Sequence, residues 1–209
     1  MSAQSDEKTW DERYRSRGPV WSGDPNTHLV AETAELTPGT ALDVGCGEGA
    51  DAIWLAGHGW QVTAVDVSGV ALQRGADHAA RAGAEIADRI SWLHEDITTR
   101  QPGPVRYDLV NAQYMHLPPQ PRDSLFQRLA DSVAPGGTLL IVGHHLSDLQ
   151  SGVPRPPLPE LYFTGDDIVE LLEPDKWDVV TNAAPARLVS DPYGRSVTIH
   201  DTVFLARRR

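Results

Sequence analysis

The chain has 209 residues and a mass of 22.8 kDa, the size of one domain. Its 40% hydrophobic and 22% charged residues support a folded core and exclude wholesale disorder. With 18 basic against 29 acidic residues the net charge is −11, which argues against nucleic acid or an anionic membrane as partner, because phosphate neutralisation supplies most of such affinity. A single cysteine, Cys46, excludes an internal disulfide framework and a multi-cysteine zinc site. No apolar run approaches the ~18–20 residues of a membrane span, and the first residues, Met1 to Lys8, are polar with no apolar signal region. A soluble cytoplasmic protein is the expectation.

Residues 1–30 contain Trp10, Tyr14 and Trp21 and are expected to form a helical arm or lid, helical around Asp11–Arg15, ahead of a domain over 31–209. Thr40–Val44 is a short apolar run ending in a glycine-rich turn, a first strand. Ala52, Ile53, Leu55 and Ala56 then fall at helical spacings within Glu48–Gly57, which Gly57 and Gly59 stop. Gln61–Val65 is a second strand, and Ser68 caps a helix running to about Ala82, where Gly83 ends it. Ile90–His94 and Tyr107–Ala112 are strands three and four, separated by a loop at Gln101-Pro-Gly-Pro104.

Asp123–Val133 aligns Leu125, Phe126, Leu129 and Val133 on one helical face, halted by Pro135-Gly-Gly137, and Thr138–Val142 is a buried fifth strand. Four prolines between Pro154 and Pro159 rule out regular structure and leave a lid or a surface crossover. Thr164-Gly-Asp-Asp167 has the form of a capping box ahead of a helix with Ile168, Val169, Leu171 and Leu172. Trp177–Thr181 and Val197–Ala206 read as two final antiparallel strands, with Asp191-Pro-Tyr-Gly194 turning between them. The recurring strand–helix order predicts an α/β fold with a mainly parallel sheet.

Chemistry concentrates at the carboxyl ends of these strands. Asp43-Val-Gly45-Cys-Gly47-Glu-Gly49 links strand one to its helix; the glycines admit a ligand close to the backbone, and the helix offers unpaired N–H groups. Asp66 closes strand two, where a carboxylate can accept both hydroxyls of a ribose. Asp96 follows strand three, so three carboxylates line one crevice. Gly45-x-Gly47-x-x-Ala50 also satisfies the permissive dinucleotide fingerprint. Against an NAD-dependent oxidoreductase, Asp43 would repel a pyrophosphate, and little chain remains for a second nucleotide half or a substrate domain. No Gly-Lys-Ser/Thr follows the glycines, so a P-loop is excluded. The ligand these residues call for has a ribose and a base, no phosphate, and an ammonium group.

S-adenosylmethionine (SAM) fits that description. The run Ala41-Leu-Asp-Val-Gly-Cys-Gly-Glu-Gly49 resembles the first motif of class I SAM-dependent methyltransferases. Val62-Thr-Ala-Val-Asp66, Glu95-Asp-Ile97, Tyr107-Asp-Leu-Val110 and Pro135-Gly-Gly-Thr-Leu-Leu140 follow in the family's order. The resemblance implies a Rossmann-like seven-stranded, mostly parallel sheet ordered 3-2-1-4-5-7-6, strand 7 antiparallel, with helices on both faces. It implies that Asp43 serves the methionine amino end and that Gly45, Cys46 and Gly47 hold the backbone near the methionine moiety. Asp66, with Val67, would take the ribose, Asp96 and the Ile97 backbone the adenine, while Asn111 and Gln113 lie near the transferring methyl. The product would be S-adenosylhomocysteine (SAH). Trp10-Asp-Glu-Arg-Tyr14, Trp21, Pro25 and the ending Tyr193-Gly-Arg … Asp201-Thr-Val-Phe-Leu-Ala-Arg207 look like the tellurite-resistance and thiopurine-type small-molecule methyltransferases. In the tellurite-type pattern basic residues precede the last turn; here Leu188-Val-Ser190 fills part of that place, which disfavours an oxyanion acceptor.

The implied partner is a small-molecule methyl acceptor, O, N, S or chalcogen. His116, after strand four, and His144 and His145, after strand five, are candidate bases; a plain loop role competes for each. Trp10, Tyr14, Trp21, Tyr162 and Arg187 are candidate substrate or lid residues. No helix-spaced pair of ligands supports a metal site. Two other readings stand beside catalysis: a non-catalytic SAM-binding sensor, and the NAD-dependent oxidoreductase.

Overall fold

In the computed structural model, residues 7–16, 18, 22–99 and 103–209 are described. Five parallel strands form the body of the sheet: β1 (Thr40–Val44), β2 (Gln61–Asp66), β3 (Ile90–His94), β4 (Tyr107–Gln113) and β5 (Val133–His144). β6 (Trp177–Ala183), β7 (Ala186–Ser190) and β8 (Ser196–Arg208) complete it. The order is β3-β2-β1-β4-β5-β8-β6, with β8 antiparallel to both neighbours and β7 paired to its first half. This is the expected order, with β8 in the place of the seventh strand and one strand more than expected.

Alternate residues of the central strands feed two cores, as a two-residue period on a doubly covered sheet requires. Leu42, Val44, Val110, Leu139 and Ile141 pack on one face with Leu125, Phe126 and Leu129 of α6 (Pro119–Asp131). Ala41, Leu109, Leu140 and Val142 pack on the other with Ala52, Leu55 and Ala56 of α3 (Ala50–Gly57). Leu29 of α2 (Thr27–Thr33), a helix the sequence reading does not anticipate, is fully buried in this second core.

The N-terminal α1 (Glu7–Arg15) docks on α4 (Gly69–Ala82) through polar contacts at the latter's start. Ser68 caps α4 by accepting from the Ala71 N–H, and its own hydroxyl donates to Asp11 Oδ1 at 2.7 Å. Arg74 of α4 donates to the Tyr14 carbonyl at 2.6 Å and to Glu48 Oε1 at 2.9 Å, tying the arm to the glycine loop.

Several boundaries move. α6 starts at Pro119, not Asp123, because a first helical turn needs no N–H donors and so accepts proline. It ends at Asp131, and Val133 begins β5. Pro135-Gly-Gly137 therefore bulges within the β4–β5 ladder, where Tyr107 pairs with Val133 but Leu109 with Thr138. Thr164 and Asp167 do form the reciprocal capping box, yet α7 spans only Gly165–Val169 and leaves Leu171 and Leu172 beyond it. The turn at 191–194 joins β7 to β8, since the chain after β6 makes a further strand before turning. No described helix is long and apolar enough to cross a membrane.

Candidate active site

From β1 the backbone turns into α3 through Gly45, Gly47 and Gly49, with φ of +68°, +53° and +84°, a region that glycine enters without steric cost. The turn is pinned to β2: the Gly45 and Cys46 N–H groups donate to the Val65 carbonyl at 2.9 and 3.1 Å, and Gly47 N–H donates to Asp66 Oδ2 at 2.8 Å. Asp66 Oδ1 accepts from Ser68 N–H at 2.8 Å, and burial raises this carboxyl's pKa. A side chain at Gly45 would place its Cβ 2.6 Å from Met115 Sδ, so Met115 packs directly against this glycine. Burial, then Asp43, pushes the Cys46 thiol well up, consistent with a packing role. Val67 accepts from the His94 ring at 2.9 Å. Asp96 Oδ1 is held by Thr98 N–H (2.9 Å) and Oγ1 (2.6 Å), while Ile97 packs against the core.

Asp43 and Asn111 lie side by side across the β1–β4 register. Asn111 Nδ2 donates to Asp43 Oδ1 at 2.9 Å, and Gln113 Nε2 donates in turn to Asn111 Oδ1. Asp43 Oδ2 and Gln113 Oε1 are buried with no hydrogen-bond partner. Burial first, and the nearby Asp51 carboxylate second, lift the Asp43 pKa well above the carboxylate range. An unsatisfied buried carboxylate oxygen beside an open amide oxygen suits a cationic hydrogen-bond donor and repels phosphate.

A second cluster gathers across the sheet's end from β4, β5, β7 and β8. His116 and His144 stack with ring centroids 4.6 Å apart, and Tyr114 lies 4.6 Å from His144 on its other contact. Tyr114 has φ +54°, a conformation rare outside glycine and often found at functional sites. Tyr162 stands 6.4 Å from His116, with its hydroxyl donating to the Pro156 carbonyl of the proline loop at 2.8 Å. Burial, then His144 and Arg155, depresses the His116 pKa to about 3, so its imidazole is neutral. Asp201, wholly buried, accepts from Arg187 Nε at 2.5 Å and pairs with His28 Nε2 at 3.2 Å; His144 Nδ1 faces its Oδ1 at 3.6 Å. Burial alone would raise the Asp201 pKa, but His144, His28 and Arg187 together hold it far below the carboxylate range.

His145 does not join this cluster. Its Nδ1 accepts from the Ser147 N–H at 3.3 Å and caps the short turn at 146–150. Trp10 and Tyr14 pack together on α1 at 6.1 Å, with the Arg13 guanidinium 5.0 Å over Trp10; Trp21 lies outside the described residues. His144, Asp148 and Asp201 could bring ligand atoms within 4.8 Å of one another, but Arg155 (3.5 Å from Asp148) and Arg187 already supply positive charge there. His28, Tyr114, Asp148 and Arg155 are site residues that sequence reasoning misses. Only Tyr114 carries a signal, since it directly follows Gln113 at the strand end where crevices open.

Glycine turn, carboxylate series and strand order together define a Rossmann-like α/β fold with a crevice at its strand ends. Residues 41–137 match the family described as a methyltransferase domain. Methyltransferase Rv0089 of Mycobacterium tuberculosis, of uncharacterized function, is 36% identical over 133 residues, 61% of this chain and 64% of that relative. The chain thus spans just under two thirds of that relative's length. A chain solved in work on the conversion of a disulfide bond into a thioacetal during echinomycin biosynthesis superposes with a TM-score of 0.74, at 23% identity over 97% of this chain and 91% of that one. TehB from Haemophilus influenzae superposes at 0.69, with 20% identity over 97% of this chain and 67% of that one. At those identities the two structures show a shared fold.

Proposed function

We propose that the protein transfers a methyl group from SAM to a small-molecule acceptor. The observation that carries this reading is the unpartnered Asp43 Oδ2 beside the Asn111–Gln113 relay. It is a buried acidic position, placed where the glycine turn lets a ligand reach the backbone, and an ammonium of a phosphate-free nucleoside would both pair with it and favour its ionised form. Asp43, Asn111 and Gln113 would hold the methionine end, Asp66 the ribose, and Asp96 with the Ile97 backbone the adenine. When bound, SAM supplies an electrophilic methyl on a sulfonium. The chain's own contribution is to orient the acceptor in line with it and to exclude water with the α1 arm.

Isothermal calorimetry with SAM tests the reading, and a folded sample that does not bind would sink it. Asp66→Ala should weaken binding by ~1–3 kcal/mol through stranded ribose hydroxyls; an unchanged affinity would contradict its role. Product formation across hydroxyl, amine and thiol acceptors separates an enzyme from a SAM sensor.

A further inference from the structure

Among the described residues, seven buried side-chain nitrogen or oxygen atoms lack a hydrogen-bond partner. Four of them, His116 Nε2, His144 Nδ1, Asp148 Oδ2 and Arg155 Nε, fall in the histidine cluster, and Asp43 and Gln113 account for two more in the crevice beside it. Unpaired polarity this concentrated marks where a ligand completes the structure.

Within the cluster His144 is distinctive. Its Nδ1 edge is buried against Asp201, whereas the side chain keeps 15% exposure and, among the described residues, no hydrogen bond engages Nε2. A carboxylate at Nδ1 selects the tautomer that carries its proton there and leaves the Nε2 lone pair free. The 3.6 Å separation is longer than a hydrogen bond, as is common for catalytic pairs before substrate binds.

The groups around this ring come from every neighbouring element. His116 and Tyr114, at the end of β4, are both neutral, the tyrosine pKa being pushed up to about 12 by burial and then Asp201. Asp201 on β8 is met by His28 from α2 and by Arg187 from β7. Asp148 and Arg155 face each other at 3.5 Å from the turn and the proline loop. Each of these guanidiniums therefore already has its own carboxylate, and among the described residues of the cluster no surplus cation remains for an inorganic oxyanion.

We propose that His144 is the base for methyl transfer to a protonated acceptor, held in its Nδ1–H tautomer by Asp201, and that the acceptor is an aromatic hydroxyl or thiol lying among the rings of Tyr114, His116 and Tyr162. The proposal rests on the methyltransferase reading above. His144 Nε2 takes the acceptor's proton as the acceptor oxygen or sulfur bonds to the methyl carbon. The carbon–sulfonium bond breaks with its electron pair returning to sulfur. Asp201, a positioning residue, stabilises the imidazolium until the proton passes to solvent.

Nitrogen-15 NMR of the histidine rings, on the ligand-free protein near pH ~8, reads the tautomer without any acceptor. His144 is expected with Nδ1 protonated and Nε2 bare, and Asp201→Asn should shift that balance. Catechol and thiophenol, the second largely ionised at that pH, serve as acceptor probes and sodium tellurite as the oxyanion. His144→Gln should lower catechol methylation by about 10²–10⁴-fold, spare thiophenol by comparison, and leave calorimetric SAM affinity unchanged. An Nε2–H tautomer, equal effects on the two organic probes, turnover of neither by the wild type, or turnover of tellurite would each overturn the proposal. If the wild type fails to bind SAM, the methyltransferase reading falls instead; the outcomes above, with SAM bound normally, fall on His144 and the acceptor class alone.

Discussion

Asp43 is kept at a cost to stability. An unfolded aspartate titrates near ~4, and the buried Asp43 does so well above that value, mainly through burial. Below the unfolded value both states are protonated and nothing is lost. As pH rises past it, the unfolded chain ionises first, so stability falls until the folded carboxyl also ionises, and then stays level. Asp43→Asn removes this loss. Its urea stability relative to wild type should therefore grow from pH ~4 towards neutrality, while SAM affinity drops. A pH-independent difference would show that the carboxyl is not destabilised in the fold. Asp201 is the converse case: its folded pKa is depressed, so its contribution is present at neutral pH and disappears only in strong acid.

Elements carry the site by close packing. Gly143 of β5 lies against Phe163, and a Cβ there would come within 2.4 Å of that ring. Phe163 in turn meets Phe126 of α6 edge-on at 5.2 Å, and its carbonyl accepts from Thr202 Oγ1 at 2.7 Å. Gly143→Ala should cost ~1–3 kcal/mol in chemical denaturation through overpacking; because the next residue is His144, it should also disturb the histidine stack. Asp11→Ala tests the arm. It removes the acceptor of the Ser68 hydroxyl and of Val70 N–H (3.3 Å), so the loss should be ~1 kcal/mol, the scale of a helix cap, with faster hydrogen exchange over residues 7–16.

The same elements mark what could be read in advance. β1 and β3 were legible to the residue because an apolar run met a polar or glycine turn at each end. α6 was read short because the prolines at its start look like breakers, and β7 was missed because half-exposed Ala186–Ser190 offers no apolar run. Asp43, Asp66 and Asn111 could be placed because strand ends fix them. His28, Asp148 and Arg155 could not, since α2 and a short turn bring the first two to Asp201, and the proline loop brings Arg155 to Asp148, only once the whole chain is folded.

At the scale of the molecule, β8 follows every other strand in the chain yet lies inside the sheet, between β5 and β6. Contacts of such sequence separation close slowly. Among the described residues β6 has no other sheet neighbour, so although it precedes β8 it has no described strand to pair with until β8 arrives. Pulse-labelling hydrogen exchange during refolding should protect β1, β2 and β4 before β6 and β8; simultaneous protection would contradict this order. Because β8 brings Asp201, and the β7 paired to it brings Arg187, the chain is expected to assemble in two stages. Under the proposed roles, an intermediate of the first stage would hold the nucleoside crevice while still lacking the charged pair that orients His144, so the capacity to bind would precede the capacity to react.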